Sequence, residues 1–368
     1  MHKQIGSVLL ILGTCIGAAM LALPVVTSSN SFSLTVILMV VAWAVMTVGA
    51  WTLLRVNLWC APGSNLISMS KQTLGIGAQV LTWIIYLLLL YSLICAYLAG
   101  SADLVHGLFS MLKLNVAFYQ SAVIAALFLG LIVYAGISSV DMLNRGLMSL
   151  KLIVLAIVII LLLPHANFSR LEHGDFTFHG SGFMVMITSF GFGIILPSLR
   201  VYLNNNRESL KRVLWIGSLL PLVIYLIWIA VIQGVVPKSG DAGLSAMVSS
   251  SNTNTMLLSA ISHALSGETA SVFGGIFVSI CALTSFLGVS VCLMDFLSDG
   301  LNMKRQGWSG LVIFLLTYVP PLIIVLLAPQ IFTIALTYAG IFSVYVLILL
   351  PLAMLWGGKR KNMQRYSA

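Results

Sequence analysis

Apolar residues run along this chain in long blocks, separated by short clusters of Gly, Ser, Asn, Lys and Arg. A helix needs about 20 mostly apolar residues to cross roughly 30 Å of hydrocarbon, and blocks of that length recur from end to end. The gaps between charges predict ten spans: 5–26, 32–54, 78–101, 116–136, 147–164, 181–199, 212–233, 269–294, 307–327 and 330–356. Gln306–Gly358 carries no charge, and Ala328-Pro329-Gln330 supplies the turn that divides it. The pattern reads as an all-α polytopic membrane protein. Between spans 7 and 8 lies a Ser/Asn-rich segment, 238–267, that contains "MLLSAISHAL". It is either a short amphipathic helix lying over the outer vestibule as a lid or a plain exposed loop.

Composition agrees with the pattern. Apolar residues make up 60% of the chain and charged ones 7%, against roughly 25% charged in a soluble domain. Mean hydropathy is +1.08. The first apolar run is too long for a cleaved signal peptide and lacks its small-residue cleavage site. With the N-terminus placed in the cytoplasm, 15 of the 18 Lys and Arg fall on the inner side; only Lys113, Arg170 and Lys238 fall outside. Cytoplasmic loops are enriched in this way, so the net charge of +9 is a topology signal and implies no nucleic-acid partner. The basic tail 359–368 is expected to anchor near anionic lipid. The five cysteines (Cys15, Cys60, Cys95, Cys281 and Cys292) lie in spans or at the inner edge, so no external disulfide is implied.

Two spans carry glycine where a membrane helix tolerates it least. Span 1 has Gly13, Thr14, Cys15, Ile16 and Gly17 at its centre; span 6 has Ser189, Phe190, Gly191, Phe192 and Gly193. In hydrocarbon an unpaired N–H or C=O costs several kcal/mol, so irregular backbone survives only in protein or against a cavity. Two interrupted spans, five apart, point to an inverted repeat with both breaks at the midplane. Freed N–H groups and half-helix N-termini would hold a carboxylate, and freed carbonyls an ammonium or a cation. A zwitterionic amino acid satisfies both, with Phe190 or Phe192 stacking on its side chain or gating it. The plainer reading is that small residues let helices pack closely.

These segments carry a resemblance. "GTCIGAAMLALP" (13–24), "TSFGFG" (188–193) followed by "LPSL", "IGSLLPLVIYLIW" (216–228) and "LTSFLGVSVCLMDFLSDGL" (283–301) resemble helices 1, 6, 7 and 8 of the hydroxy/aromatic amino acid permeases. The likeness is to their tyrosine/tryptophan-specific branch, within the amino acid–polyamine–organocation superfamily, and it covers the whole chain. It implies a leucine-transporter-type fold of five-plus-five inverted repeats, the first about 5–164 and the second about 181–356. These form one transporter domain, 1–358, in which spans 1, 2, 6 and 7 move as a bundle. It also implies import of tyrosine or tryptophan by proton symport; a serine/threonine permease or a sodium-coupled symporter on the same fold is the alternative. Two departures stand out. Gly193-Ile194 replaces the usual His-Gly after "SFGF", and the chain ends ten residues after Gly358, where relatives have an eleventh span.

Lys151 is the cation placed inside a span, and two readings stand for it. It can snorkel to the inner surface, or it can point inward. "NRGLMSLKLIVL" (144–155) resembles the fifth helix of proton-coupled superfamily members, where a Lys takes the place of a sodium ion between helices 1, 5 and 8. Thr284 and Ser285 would then be its neighbours. Tyr91 is expected to line the cavity or to pack, and Tyr97 to sit in the interfacial belt. Asp295 and Asp299 are expected at the inner gate or simply solvated. His165, His173, His179, Glu172 and Asp175 are spaced too irregularly for a metal site. No nucleophile–base pair, phosphate-binding glycine loop or haem motif is present, so neither enzyme activity nor a cofactor is expected. The expected partners are an amino acid, a coupling proton or sodium ion, and membrane lipid.

Overall fold

A computed structural model describes residues 2–61, 64–134, 137–172, 174–240, 243–248, 250–265, 268–303, 306–361 and 363. Every expected span contains helix. Among the described residues, eight helices are long and apolar enough to cross a bilayer, for example Phe32–Trp59 (span 2), Ile76–Met111 (span 3) and Arg207–Val235 (span 7). A ninth crossing is the bent pair Lys3–Cys15 and Ala18–Val26. Span 4 is the shorter helix Phe118–Tyr134. Helices dominate because in lipid each N–H must find a carbonyl within its own segment.

The packing shows the inversion. Span 3 packs on span 10, and span 8 on span 5; span 1 packs on span 7, and span 6 on span 2. Exchanging spans 1–5 with spans 6–10 turns each pairing into the other. The second half of span 1 lies against Gly180–Ser189, the first half of span 6, while His2–Cys15 lies against residues 191–202. The two broken spans are therefore antiparallel, with their breaks level.

The sequence reading missed several features. Span 3 ends at Met111 rather than 101. An unexpected helix, Leu66–Leu74, follows span 2, capped by Asn65 accepting from Ser68 N at 2.8 Å. Arg200, counted as a surface topology charge, is buried at the end of span 6. Its guanidinium donates to the carbonyls of Asn57 and, at 3.0 Å, Cys60, which ties the ends of spans 2 and 6 together. Span 10 is one helix, Ile331–Arg360, with a π turn at Tyr345–Leu349. There the Leu347 carbonyl comes so close to span 2 that a Cβ at Gly49 would lie 2.1 Å from it; only glycine fits.

The described residues of segment 238–267 include two helices, so it is not a plain loop. Its main helix is Thr253–Leu265, and its first turn is held by Asp103 of span 3. Asp103 Oδ2 accepts from the N–H groups of Asn254 (2.8 Å) and Thr255 (3.0 Å), and Oδ1 from the Thr255 hydroxyl at 2.5 Å. A carboxylate at a helix N-terminus meets the unpaired N–H groups there. Beneath lies a cavity of about 650 Å³ whose walls include Asn252, Thr255, Met256 and His263. At the same end, Lys238 donates to the Asn30 carbonyl at 2.9 Å, and partial burial lowers its ammonium from the ordinary lysine value.

Candidate functional site

The break in span 1 falls at Ile16-Gly17. Gly17 is extended (φ −149°, ψ −155°) and starts the second half-helix, whose axis is turned by 52°. Breaking the helix exposes polar backbone, and other spans answer it. The Ile16 carbonyl accepts from the Lys151 ammonium, and Lys151 also donates to Thr284 Oγ1 at 3.1 Å. The Ala18 N–H donates to Ser285 Oγ at 2.9 Å. Lys151 is fully buried, so of its two readings the inward one holds. Moving an ammonium out of water costs several kcal/mol; here a carbonyl and a hydroxyl replace part of its hydration.

Span 6 runs on as one helix, Gly180–Tyr202, without the sharp bend of span 1, and its break is a longer change of winding. Gly180–Ser189 ends at Phe190, Gly191–Ile195 winds as a tighter 3₁₀ turn, and Leu196–Tyr202 resumes the α-helix. The Ser189 carbonyl, cut off from the ladder, accepts from the Tyr225 hydroxyl of span 7 at 3.0 Å. Phe190 meets the same ring edge-on, with centroids 5.3 Å apart. The Phe192 backbone lies beside the Cys15 sulfur, so the two breaks are neighbours. Ile16, Phe190 and Phe192 are fully buried, while Gly191 between the two phenylalanines is only half-buried.

The expected residues divide. Cys15, Ile16, Gly17, Lys151, Thr284, Ser285, Ser189, Phe190, Gly191 and Phe192 come together around the two breaks. Gly13 still belongs to the first half-helix, and its missing side chain makes room for Met148; a Cβ there would lie 2.6 Å from Met148 Cε. Thr14 is exposed and bonds back to the Ile11 carbonyl at 2.8 Å. Gly193 packs against Leu347 of span 10. Tyr91 points away from the breaks, donating to the Leu316 carbonyl of span 9 at 2.7 Å. Asp295 and Asp299 are exposed at the end of span 8. Of the loop histidines, His173 lies outside the described residues; among those described, no group of His, Cys, Asp and Glu could hold a metal.

Sequence reasoning missed Tyr225, Tyr97 and Cys281. Tyr97 is buried, not interfacial, within electrostatic reach of Cys15; Cys281 lies within similar reach of Lys151. A tyrosine hydroxyl in the middle of an apolar span must find a partner, and that signal was present for Tyr225 inside "LPLVIYLIW".

What such a pair of breaks can do is hold a small molecule by backbone groups at mid-membrane. Comparison with known proteins gives the family. The profile of the tryptophan/tyrosine permease family matches residues 1–367. The chain belongs to that family. Tyrosine-specific transport system 2 of Haemophilus influenzae is 30% identical over 98% of this chain and 89% of its own length. Glutamine transporter 2 of Aliivibrio fischeri is 28% identical over 98% and 91%. In three dimensions the permease is similar to Mhp1, a nucleobase-cation-symport-1 family transporter solved in a closed conformation with bromovinylhydantoin bound. The TM-score is 0.60 at 12% identity, covering 99% of this chain and 95% of that one. At that identity the likeness shows the fold, and it is the leucine-transporter-type fold the resemblance implied. The protein is a multi-pass membrane protein of a permease family.

Proposed function

We propose that this permease imports aromatic amino acids, tyrosine or tryptophan, by proton symport through alternating access. Residues 1–358 act as a single transporter domain that crosses the inner membrane ten times, with both termini cytoplasmic; the 15-to-3 distribution of Lys and Arg supports that orientation. The observation that carries the proposal is the facing pair of breaks, with the Lys151 ammonium seated on the Ile16 carbonyl. The substrate's charged ends take the backbone groups around Ile16, Gly17, Gly191 and Phe192, and Phe190 closes over its side chain. The ammonium occupies the place a coupling cation would otherwise fill, which favours a proton over sodium. When Lys151 gives up its proton, the attraction holding it to span 1 weakens and the bundle of spans 1, 2, 6 and 7 is released.

A second reading concerns the substrate. A relative named as a glutamine transporter matches nearly as well as the tyrosine-specific one, and Gly193-Ile194 stands where relatives have His-Gly. Uptake of labelled tyrosine, tryptophan, glutamine and serine into proteoliposomes, under imposed pH or sodium gradients, decides both points. Accumulation of tyrosine or tryptophan with an inward proton gradient alone is the expected result. Accumulation that needs sodium, or that favours glutamine or serine, overturns the corresponding half of the proposal.

A further inference from the structure

A second cavity, of about 340 Å³, lies at the basic end of spans 2 and 7. Its walls include Trp51, Leu54, Arg55, Arg207, Lys211 and Leu355. Arg55 comes from span 2; Arg207 and Lys211 come from the first two turns of span 7, so cations face the space from two helices. Lys211 also pairs with Glu208 at 2.9 Å, but both side chains are well exposed (54% and 78%). Such a pair is weak and gives way readily to a stronger anion.

Deeper on the same face of span 2, at spacings of four, stand Thr47 and Trp43. The indole N–H groups of Trp43 and Trp51 and the Thr47 hydroxyl are all buried without a hydrogen-bond partner. Thr47 and Arg55 are eight residues apart, about 12 Å along the helix. Trp215 of span 7, whose ring lies 6.0 Å from that of Trp51, is 53% exposed on the lipid side.

We propose that this cavity binds the headgroup of an anionic phospholipid. The chemistry fits that ligand: Arg55, Arg207 and Lys211 offer cations to a phosphate, and Trp51, Leu54 and Leu355 offer apolar wall to the groups attached to it. Basic pockets between spans on the cytoplasmic side are suited to anionic headgroups. A free phosphate would satisfy the cations and leave the apolar walls unmet. The bound lipid touches spans 2 and 7 of the moving bundle and Leu355 of span 10 outside it, and so bridges the two.

Binding is read on the purified full-length protein without any transport assay, by thermal unfolding in neutral detergent. Short-chain phosphatidylglycerol is titrated against phosphatidylcholine and inorganic phosphate. Phosphatidylglycerol alone should raise the unfolding midpoint in a saturable way. Arg55→Gln/Arg207→Gln should need roughly tenfold or more phosphatidylglycerol for the same shift, and Trp51→Phe should weaken it less. Lys71→Gln/Lys359→Gln, which removes two exposed charges elsewhere at the same end, should leave the titration unchanged. Equal stabilisation by phosphatidylcholine, reproduction of the shift by inorganic phosphate, an unaffected Arg55/Arg207 variant, or an equal loss in the Lys71/Lys359 variant would each overturn the assignment.

Discussion

The two breaks occupy equivalent places in the inverted repeat, yet they are finished differently. At span 1 the neighbouring spans close in. Lys151 takes the Ile16 carbonyl, Ser285 takes the Ala18 N–H, and a Cβ on Gly17 would lie 2.2 Å from Ser285 Oγ. At span 6 a Cβ on Gly191 would meet nothing within 4 Å. One break is filled by protein, with the Lys151 side chain on its carbonyl; the other keeps space beside a glycine. Pseudo-symmetry supplies two similar openings in the backbone, and side chains outside the broken spans divide their labour. On the proposed reading, the filled break carries the coupling ion and the open one admits the substrate.

The largest effect should follow from Lys151→Ala. The change removes the charge and leaves the Ile16 carbonyl without its donor, a cost of about 1–3 kcal/mol that a folded membrane protein survives. Acid-driven accumulation should fall to background, while exchange of labelled for unlabelled substrate across the membrane, which needs no proton gradient, continues. Counterflow lost together with accumulation, in protein that is still folded, would show that Lys151 serves binding rather than coupling. Accumulation that still follows the pH gradient would remove it from the coupling step altogether.

The contrast between the glycines is the next largest effect. Gly17→Val drives a side chain into Ser285, and overpacking of this kind costs about 1–3 kcal/mol or more; both uptake and thermal stability should fall. Gly191→Ala enters open space, so stability should stay within about 0.5 kcal/mol while substrate binding weakens, by roughly tenfold if the substrate lies there. Unfolding midpoints measured with and without tyrosine separate the cases. If the two variants lose stability alike, or if Gly191→Ala binds normally, the difference between the breaks has no functional meaning.

Much of this arrangement is legible in the sequence, and the rest is not for definite reasons. Apolar length and charge gaps locate every helix that crosses, because the bilayer sets both. The breaks are visible because glycine at mid-span has few other uses, and they lie within a residue or two of where the pattern puts them. Direction is harder. Thr14 and Tyr91 are polar residues at the right depth that turn to the Ile11 and Leu316 carbonyls, because rotation of a nearly uniformly apolar helix leaves no periodic mark. Lys151 shows the same limit from the other side, since a snorkelling and an inward lysine look alike in one dimension. Asp103 escaped notice because its partners, Asn254 and Thr255, are about 150 residues away.

The smallest effect, and the one that reads the open break most directly, belongs to Tyr225→Phe. The ring's packing against Phe190 survives, and only the hydroxyl that meets the Ser189 carbonyl is lost. That carbonyl ends the first half of span 6, where the helix can no longer supply a donor, and apolar surroundings offer no water in exchange. A loss of about 1 kcal/mol in stability is expected, with substrate affinity reduced less than in Gly191→Ala because no backbone group of the site is blocked. If span 6 holds its break through its own 3₁₀ turn, unfolding midpoints of wild type and Tyr225→Phe will coincide. The open break would then stand without help from span 7, unlike the closed one, which two other spans hold in place.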